Sequence, residues 1–196
     1  MWRKTRQPHE NDCWGADPNR NWSYYWLHAG ASNDSCSGTY AGPEPFSEPE
    51  VKALADYLTS IREKFYIYLS VHSYSQLFLS PFGYTTDRMD NYDDAMLIGN
   101  KAAEALARRY GTQFVVGSAA EAIYINSGNS IDWIKGELNI PVVYCIELRD
   151  QGTYGFLLPA EQIIPSSLEF IDALIAIMGE SRNLGYPAIH TVVDKL

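Results

Sequence analysis

The chain has 196 residues, 46% of them hydrophobic, and a formal net charge of -9 at neutral pH. That length and composition suit a single domain around one sizeable core, and the acidic balance argues against nucleic acid or an anionic membrane as partner, since both reward clustered Lys and Arg. No uninterrupted apolar run approaches the roughly 18 residues of a bilayer span, and the opening Met1-Trp2-Arg3-Lys4-Thr5-Arg6 lacks the apolar stretch of a secretory signal.

Ser47-Glu48-Pro49-Glu50 reads as a capping box, and Val51, Leu54, Ala55, Leu58 and Ile61 then recur at helical spacing, which predicts a helix over about 48–63. The aromatic and branched run from Phe65 to Val71 predicts a strand leading into His72. A second helix is expected over roughly 92–110, closed by Gly111 as its C-cap. Gln113 to Val116 predicts a short strand, Ser130 to Gly136 a short helix, and Pro141 to Leu148 a buried strand carrying Glu147. The last helix is expected over about 160–178, with Leu168, Ile171, Ile175 and Met178 inward and a kink or restart at Pro165. Residues 181–196 show no clear period, so the chain divides into a domain over 1–180 and an extension. Helices alternating with apolar strands indicate an α/β fold with a mixed, mostly parallel sheet flanked by helices.

Two of these apolar runs end in a lone ionisable group, His72 on one and Glu147 on the other, where open α/β sheets assemble their sites. Taken alone, His72 reads as a polar strand-end residue sooner than as a metal ligand. An acid within an apolar strand is rarely tolerated unless paired or functional, and Arg149 offers Glu147 a simple ion-pair partner. Asp17-Pro18-Asn19 has the composition of a turn. Cys13 and Cys36 either close a disulfide or remain free thiols, and Cys145 in Val142-Val143-Tyr144-Cys145-Ile146 is expected to be buried and unreactive. Asn21-Trp22-Ser23 and Asn33-Asp34-Ser35 match the glycosylation sequon.

Five separated motifs, read together, carry a family resemblance. They are Trp2-Arg3-Lys4-Thr5-Arg6, Asp17-Pro18-Asn19-Arg20-Asn21-Trp22, Ser70-Val71-His72-Ser73-Tyr74, the run from Ala122 to Trp133, and Ile146-Glu147-Leu148-Arg149-Asp150. In this order and spacing they resemble the zinc carboxypeptidases of the carboxypeptidase A/B family, over roughly residues 1–180. The resemblance implies a zinc cofactor and peptide or protein C-termini as substrate. It implies that His72 is the third zinc ligand, Glu147 the general base and Arg3 the oxyanion-stabilising arginine. Asn19 and Arg20 would grip the substrate's terminal carboxylate, since a guanidinium meets a carboxylate with two parallel hydrogen bonds. Tyr124 would be the mobile tyrosine that closes over substrate, with Ser127-Gly128-Asn129 lending the loop its flexibility. Ile131 would sit at the base of the specificity pocket and select apolar or aromatic C-terminal residues, with Asn126, Asn129 and Cys145 as more polar neighbours. The family's disulfide falls on Cys13 and Cys36, which implies a secreted parent protein.

The same resemblance exposes a gap. The family's first two zinc ligands, a His-x-x-Glu pair, precede the matched segment, and no His-x-x-Glu occurs in the sequence. The chain therefore reads as the C-terminal two thirds of a catalytic domain, truncated at its N-terminal side and complemented by the missing segment. Because catalytic zinc normally has three protein ligands, the alternative is an inactive fragment or pseudoenzyme that binds peptide C-termini. His9 has Asp12 at a ligand-like offset, but the resemblance places it in the loop leading to Cys13, and His28 and His190 have no matching partner.

Overall fold

A computed structural model describes residues 1–187. Four strands form one sheet in the order β1-β4-β2-β3, with β1 Ile67–Ser73, β2 Leu77–Ser80, β3 Val115–Ser118 and β4 Val142–Leu148. The β1/β4 and β2/β3 pairs are parallel and the β2/β4 pair antiparallel, so the sheet is mixed. Strand β4 is central because Val142 to Ile146 are all buried, the continuous apolar signature of a strand covered on both faces. Its side chains alternate between two cores, as the two-residue period demands. Val143 and Cys145 pack with Trp22, Trp133 and helix α1 (Pro49–Ser60). Val142, Tyr144 and Ile146 pack with helix α2 (Tyr92–Tyr110) and Ala173 and Ile177 of the last helix.

Helix α2 matches its predicted span, and Gly111 closes it in the left-handed region with φ 78°. The short helix α4, Ser130–Gly136, also falls where its pattern places it. Strand β1 runs two residues further than predicted, through His72, because it pairs residue by residue with β4. Strand β3 is likewise shifted by its pairing with β2. Strand β2 and helix α3 (Ala119–Ala122) are too short to generate a periodic signal and have no counterpart in the sequence reading.

Two local expectations are corrected. The capping box does not form: helix α1 starts at Pro49, and Glu48 occupies the cap position without a side-chain cap bond. Glu48 is instead wholly buried, accepting from Thr5 Oγ1 and facing His9 Nε2 at 3.2 Å, while Leu54 of α1 is exposed. The last helix, α5 (Ile163–Asn183), turns a different face inward than its apolar stripe suggests. Ser166, Glu169, Ala173, Ile177 and Ser181 are buried, whereas Ile171, Ile175 and Met178 are 47%, 60% and 38% exposed. Small residues let α5 lie close against α2, and an ion pair draws Glu169 inward, so the isoleucine stripe is left outside. Pro165 lies in the first turn, where no intrahelical N–H is required, and so does not restart the helix.

The run Ala160–Asn183 is long and apolar enough, with hydropathy 1.4, to cross a bilayer by length and composition. Counting uninterrupted apolar residues overlooks this because Glu169 and Asp172 break the run. In the fold it supplies Glu169, Ala173 and Ile177 to the interior. The predicted boundary at 180 falls inside α5, and Tyr186 beyond it donates to Asp94 Oδ2 at 2.7 Å. The remainder of the predicted extension lies outside the described residues. Strand β1 is terminal in the sheet among the described residues, and Val71 on it is 48% exposed.

Candidate active site

The parallel register of β1 and β4 sets His72 beside Glu147 and Ser70 beside Cys145. Because side chains two apart share a face, all four lie together on the adjacent strands β1 and β4, towards their C-terminal ends. Ser70 Oγ lies 2.8 Å from His72 Nε2, which fixes the ring and leaves the other nitrogen for a ligand. Burial, reinforced by the nearby Arg3 charge, holds the His72 pKa below its ordinary value, so the ring is neutral and able to bind metal. Burial pushes Glu147 up to about 7 against the opposing pull of Arg3 and a contact with Cys145. A carboxyl poised there exchanges a proton near neutral pH.

The simple ion-pair reading of Glu147 fails. Arg149 turns away and pairs with Glu169 of α5, its Nε and Nη2 donating to the carboxylate at 2.8 and 2.6 Å. Glu147 keeps its carboxylate for the cleft.

Asp17, only 1% exposed, organises the opposite wall. Its Oδ1 accepts from the backbone N–H of Asn19 at 3.0 Å, and its Oδ2 accepts from Arg3 Nε and Nη2 at 2.9 and 2.7 Å. Asn19 Oδ1 accepts from the Ser130 N–H at 3.0 Å, which orients the amide and leaves its N–H donors for a ligand. Arg20 is buried, with Nη1 donating to the Asn19 carbonyl at 2.7 Å and Nη2 to the Tyr124 hydroxyl at 3.3 Å. The anchoring role of Asp17 had no signal in the sequence beyond its place in the turn.

The loop after Tyr124 is not the flexible hinge that its composition suggests. Ser127, Gly128 and Asn129 are buried, with Ser127 Oγ accepting from the Ala29 N–H at 3.1 Å and the Gly128 carbonyl from the Trp22 N–H at 3.0 Å. Gly128 is required for close approach: its φ is 69°, and a Cβ there would strike the Arg20 carbonyl. Asn129 caps α4, its Oδ1 accepting from the Asp132 N–H at 2.8 Å. The exposed part of the loop is Ile123 to Ile125, with Tyr124 54% exposed.

One cleft of about 290 Å³ is lined by Arg3, Asn19, Arg20, His72, Tyr124, Ile131 and Glu147 together. Ile131 is 3% exposed and stands with Leu79 and Ala119 as the apolar part of the lining, while Asn126, Asn129 and Cys145 add polar atoms. Tyr74 and Phe156, which the sequence reading did not single out, also line it. Cys145 is buried as expected, yet it borders the cleft, with Sγ 3.9 Å from Glu147 Oε1. Cys13 and Cys36 form a disulfide with Cα atoms 5.2 Å apart. Asn21 is fully buried and donates to the Ala41 and Glu44 carbonyls, so its sequon is inaccessible, whereas Asn33 is exposed.

His9 is packed against Glu48 and Tyr40, and His28 against Tyr25 and Tyr84. Among the described residues, one group of three candidate metal donors stands out: His72, Cys145 and Glu147, with ligand atoms all within 4.8 Å of one another. The neutral imidazole of His72 is a donor type that zinc takes, whereas burial and the adjacent Glu147 push the Cys145 thiol up and away from the thiolate form, so His72 is the member of this group that fits such an ion.

These donors and the arginine-bearing turn of Asn19 and Arg20 border one cleft at the strand ends of an α/β sheet. The zinc carboxypeptidase family matches over residues 1–173, and the chain belongs to that family. It is 47% identical over 188 residues to a zinc carboxypeptidase of Simulium vittatum, covering 95% of this chain and 62% of that protein. It is 43% identical over 181 residues to carboxypeptidase O of Homo sapiens, covering 92% of this chain and 48% of that protein. The solved structure of bovine thrombin-activatable fibrinolysis inhibitor in complex with tick carboxypeptidase inhibitor superposes with a TM-score of 0.90 at 40% identity, over 93% of this chain and 63% of that one. The chain thus spans less than two thirds of each of these relatives.

Proposed function

We propose that this chain supplies the base, the carboxylate grip and the specificity pocket of a zinc-dependent carboxypeptidase that removes apolar or aromatic C-terminal residues from peptides. The observation that carries the reading is the convergence of Asn19 and Arg20 with His72 and Glu147 in one cleft. His72 would hold the zinc together with ligands from upstream of the matched segment. Zinc, when bound, polarises the scissile carbonyl and acidifies a water.

Arg20 and the Asn19 amide receive the terminal carboxylate of the substrate, with two parallel N–H donors from the guanidinium. That carboxylate competes with the Tyr124 hydroxyl for Arg20 Nη2, which frees Tyr124 to move as substrate enters. The last side chain then enters the pocket beside Ile131, where a cation would lie buried without a partner. Glu147 takes the proton of the attacking water and returns it to the leaving amine. Arg3, held by Asp17 at the cleft mouth, donates to the developing oxyanion. The disulfide between Cys13 and Cys36 supports an oxidising compartment and hence secretion.

The test is a chain completed with the upstream segment of a family member, loaded with zinc and offered peptides ending in Phe or Leu. Release of the terminal residue is expected, and Glu147→Gln should lower it by a factor of roughly 10² to 10⁴ while zinc content is kept. No release from a folded, zinc-loaded protein, or full activity in the Gln variant, would overturn the assignment. The second reading, an inactive module that binds peptide C-termini, is favoured by the presence of only His72 from the expected ligand set. It predicts binding without hydrolysis in the same assay.

A further inference from the structure

We propose that Asn33 is an N-glycosylation site, and that it accepts its glycan only before its own loop folds. This rests on the secretion proposed above and on nothing in the cleft.

Two segments of the chain match the acceptor pattern, and the fold treats them in opposite ways. At Asn21 both amide atoms are committed: Nδ2 donates to the Ala41 and Glu44 carbonyls and to Ser47 Oγ, while Oδ1 accepts from the Glu48 N–H at 3.1 Å. Asn21 is wholly buried, so a sugar on Nδ2 would force apart the loop before helix α1. A chain modified there could not reach this fold.

Asn33 stands in the reverse situation. Asn33 and Asp34 are exposed, and among the described residues the Asn33 side chain makes no hydrogen bond that a sugar would break. The loop takes its shape from the neighbours instead, with Ser32 Oγ accepting from the Asp34 N–H at 3.0 Å and Asp34 Oδ1 from the Cys36 N–H at 2.9 Å. A bulky, hydrated glycan on Asn33 projects into solvent and leaves these bonds intact.

The third residue of the pattern sets the timing. Ser35 is 6% exposed; its Oγ donates to the Glu10 carbonyl at 2.9 Å, and its own carbonyl accepts from Lys4 Nζ at 2.6 Å. The next residue, Cys36, is joined to Cys13. A transferase must read the Ser35 hydroxyl, which the folded chain covers, so transfer has to precede the docking of this loop onto residues 4–13. The donor is a lipid pyrophosphate-linked oligosaccharide. The Asn33 amide nitrogen bonds to the anomeric carbon, the bond from that carbon to the pyrophosphate oxygen breaks, the lipid pyrophosphate leaves with the electron pair, and the amide gives up one proton.

The test places the full chain behind a cleavable secretory leader. Secreted, disulfide-closed protein is expected to carry a glycan that peptide N-glycosidase removes, leaving Asp at position 33 and Asn at position 21. Asn33→Gln, at an exposed position, should abolish that mass shift. Ser23→Ala, which destroys the pattern at the buried site while keeping Asn21, should leave it unchanged. Nascent chains translated into microsomes report on the site whether or not they go on to fold: Asn33→Gln should cost them one glycan, and a reductant that keeps Cys13 and Cys36 apart should raise occupancy of Asn33. Chain refolded first and then offered purified transferase and lipid-linked donor should stay unmodified. The proposal is overturned if Asn33 is unmodified in both the secreted and the nascent chain, if the glycan survives Asn33→Gln, or if refolded chain is modified as readily as nascent chain. All of these are read by mass, so a glycosylated chain without peptidase activity, or an active one without a glycan, separates this proposal from the peptidase reading.

Discussion

Arg149 and Glu169 form a two-pronged ion pair that fastens the end of strand β4 to helix α5. Nε reaches Oε2 at 2.8 Å and Nη2 reaches Oε1 at 2.6 Å, with side chains 14% and 1% exposed. The Thr112 hydroxyl donates to the same carboxylate at 2.6 Å. The pair lies just past Glu147 in the chain and so bears on where that carboxylate stands. Removing one partner leaves the other charge buried alone. Arg149→Met should therefore cost about 3–5 kcal/mol in urea unfolding, and adding Glu169→Leu should recover much of it. A single variant within about 1 kcal/mol of the parent would show that the pair is solvated or dispensable.

Ile131 tests selectivity apart from catalysis. In the completed enzyme, Ile131→Asp should move the preference from apolar toward Lys or Arg C-terminal residues, because the new carboxylate pairs a cation that the parent pocket leaves unpaired. The ratio of kcat/KM for peptides ending in Arg and in Phe is the measurement. An unchanged ratio would remove Ile131 from the pocket's base.

Asp132 gives a pH dependence with a definite sign. Burial raises its pKa from 3.8 to about 6, outweighing the N–H groups of Gly83 and Tyr84 that its carboxylate accepts. Between those values the folded chain keeps a proton that the unfolded chain has lost, so this group's contribution makes stability fall as pH rises from about 4 to about 6. The fall is on the order of 3 kcal/mol at most. Asp132→Asn should flatten that part of the stability profile, measured by denaturant unfolding across the window. An identical slope in parent and variant would show that Asp132 titrates normally.

Self-association follows from two surfaces. Strand β1 ends the sheet among the described residues, and α5 exposes Ile164, Ile171 and Ile175 at 66%, 47% and 60%. Open strand edges and apolar stripes both favour contact between chains. Sedimentation velocity on the chain alone should show concentration-dependent species, and Ile171→Glu with Ile175→Lys should reduce them. A monodisperse monomer across the same range would count against both surfaces as sticky.

The sequence by itself determined the elements whose signal is local and long. Helix α2 needs only its apolar spacing and Gly111, α4 only its short pattern over Ser130 to Gly136, and β4 a continuous apolar run that ends in an acid. It also named the residues of the cleft, since Asn19, Arg20, His72, Ile131 and Glu147 stand in motifs whose order survives in the chain. What it could not decide is anything set by a partner distant along the chain. Arg149 had Glu147 two positions away and took Glu169, because α5 crosses the end of β4. The isoleucine stripe of α5 is as apolar as any inward face, yet close packing against α2 admits small residues and turns the stripe outward. Ser127 to Asn129 have the composition of a flexible loop, but Arg20, Trp22 and Ala29 pack against them and bury them. Cys145 read as an inert core thiol, and only the register of β4 against β1 sets its sulfur beside the carboxylate of Glu147 and the ring of His72.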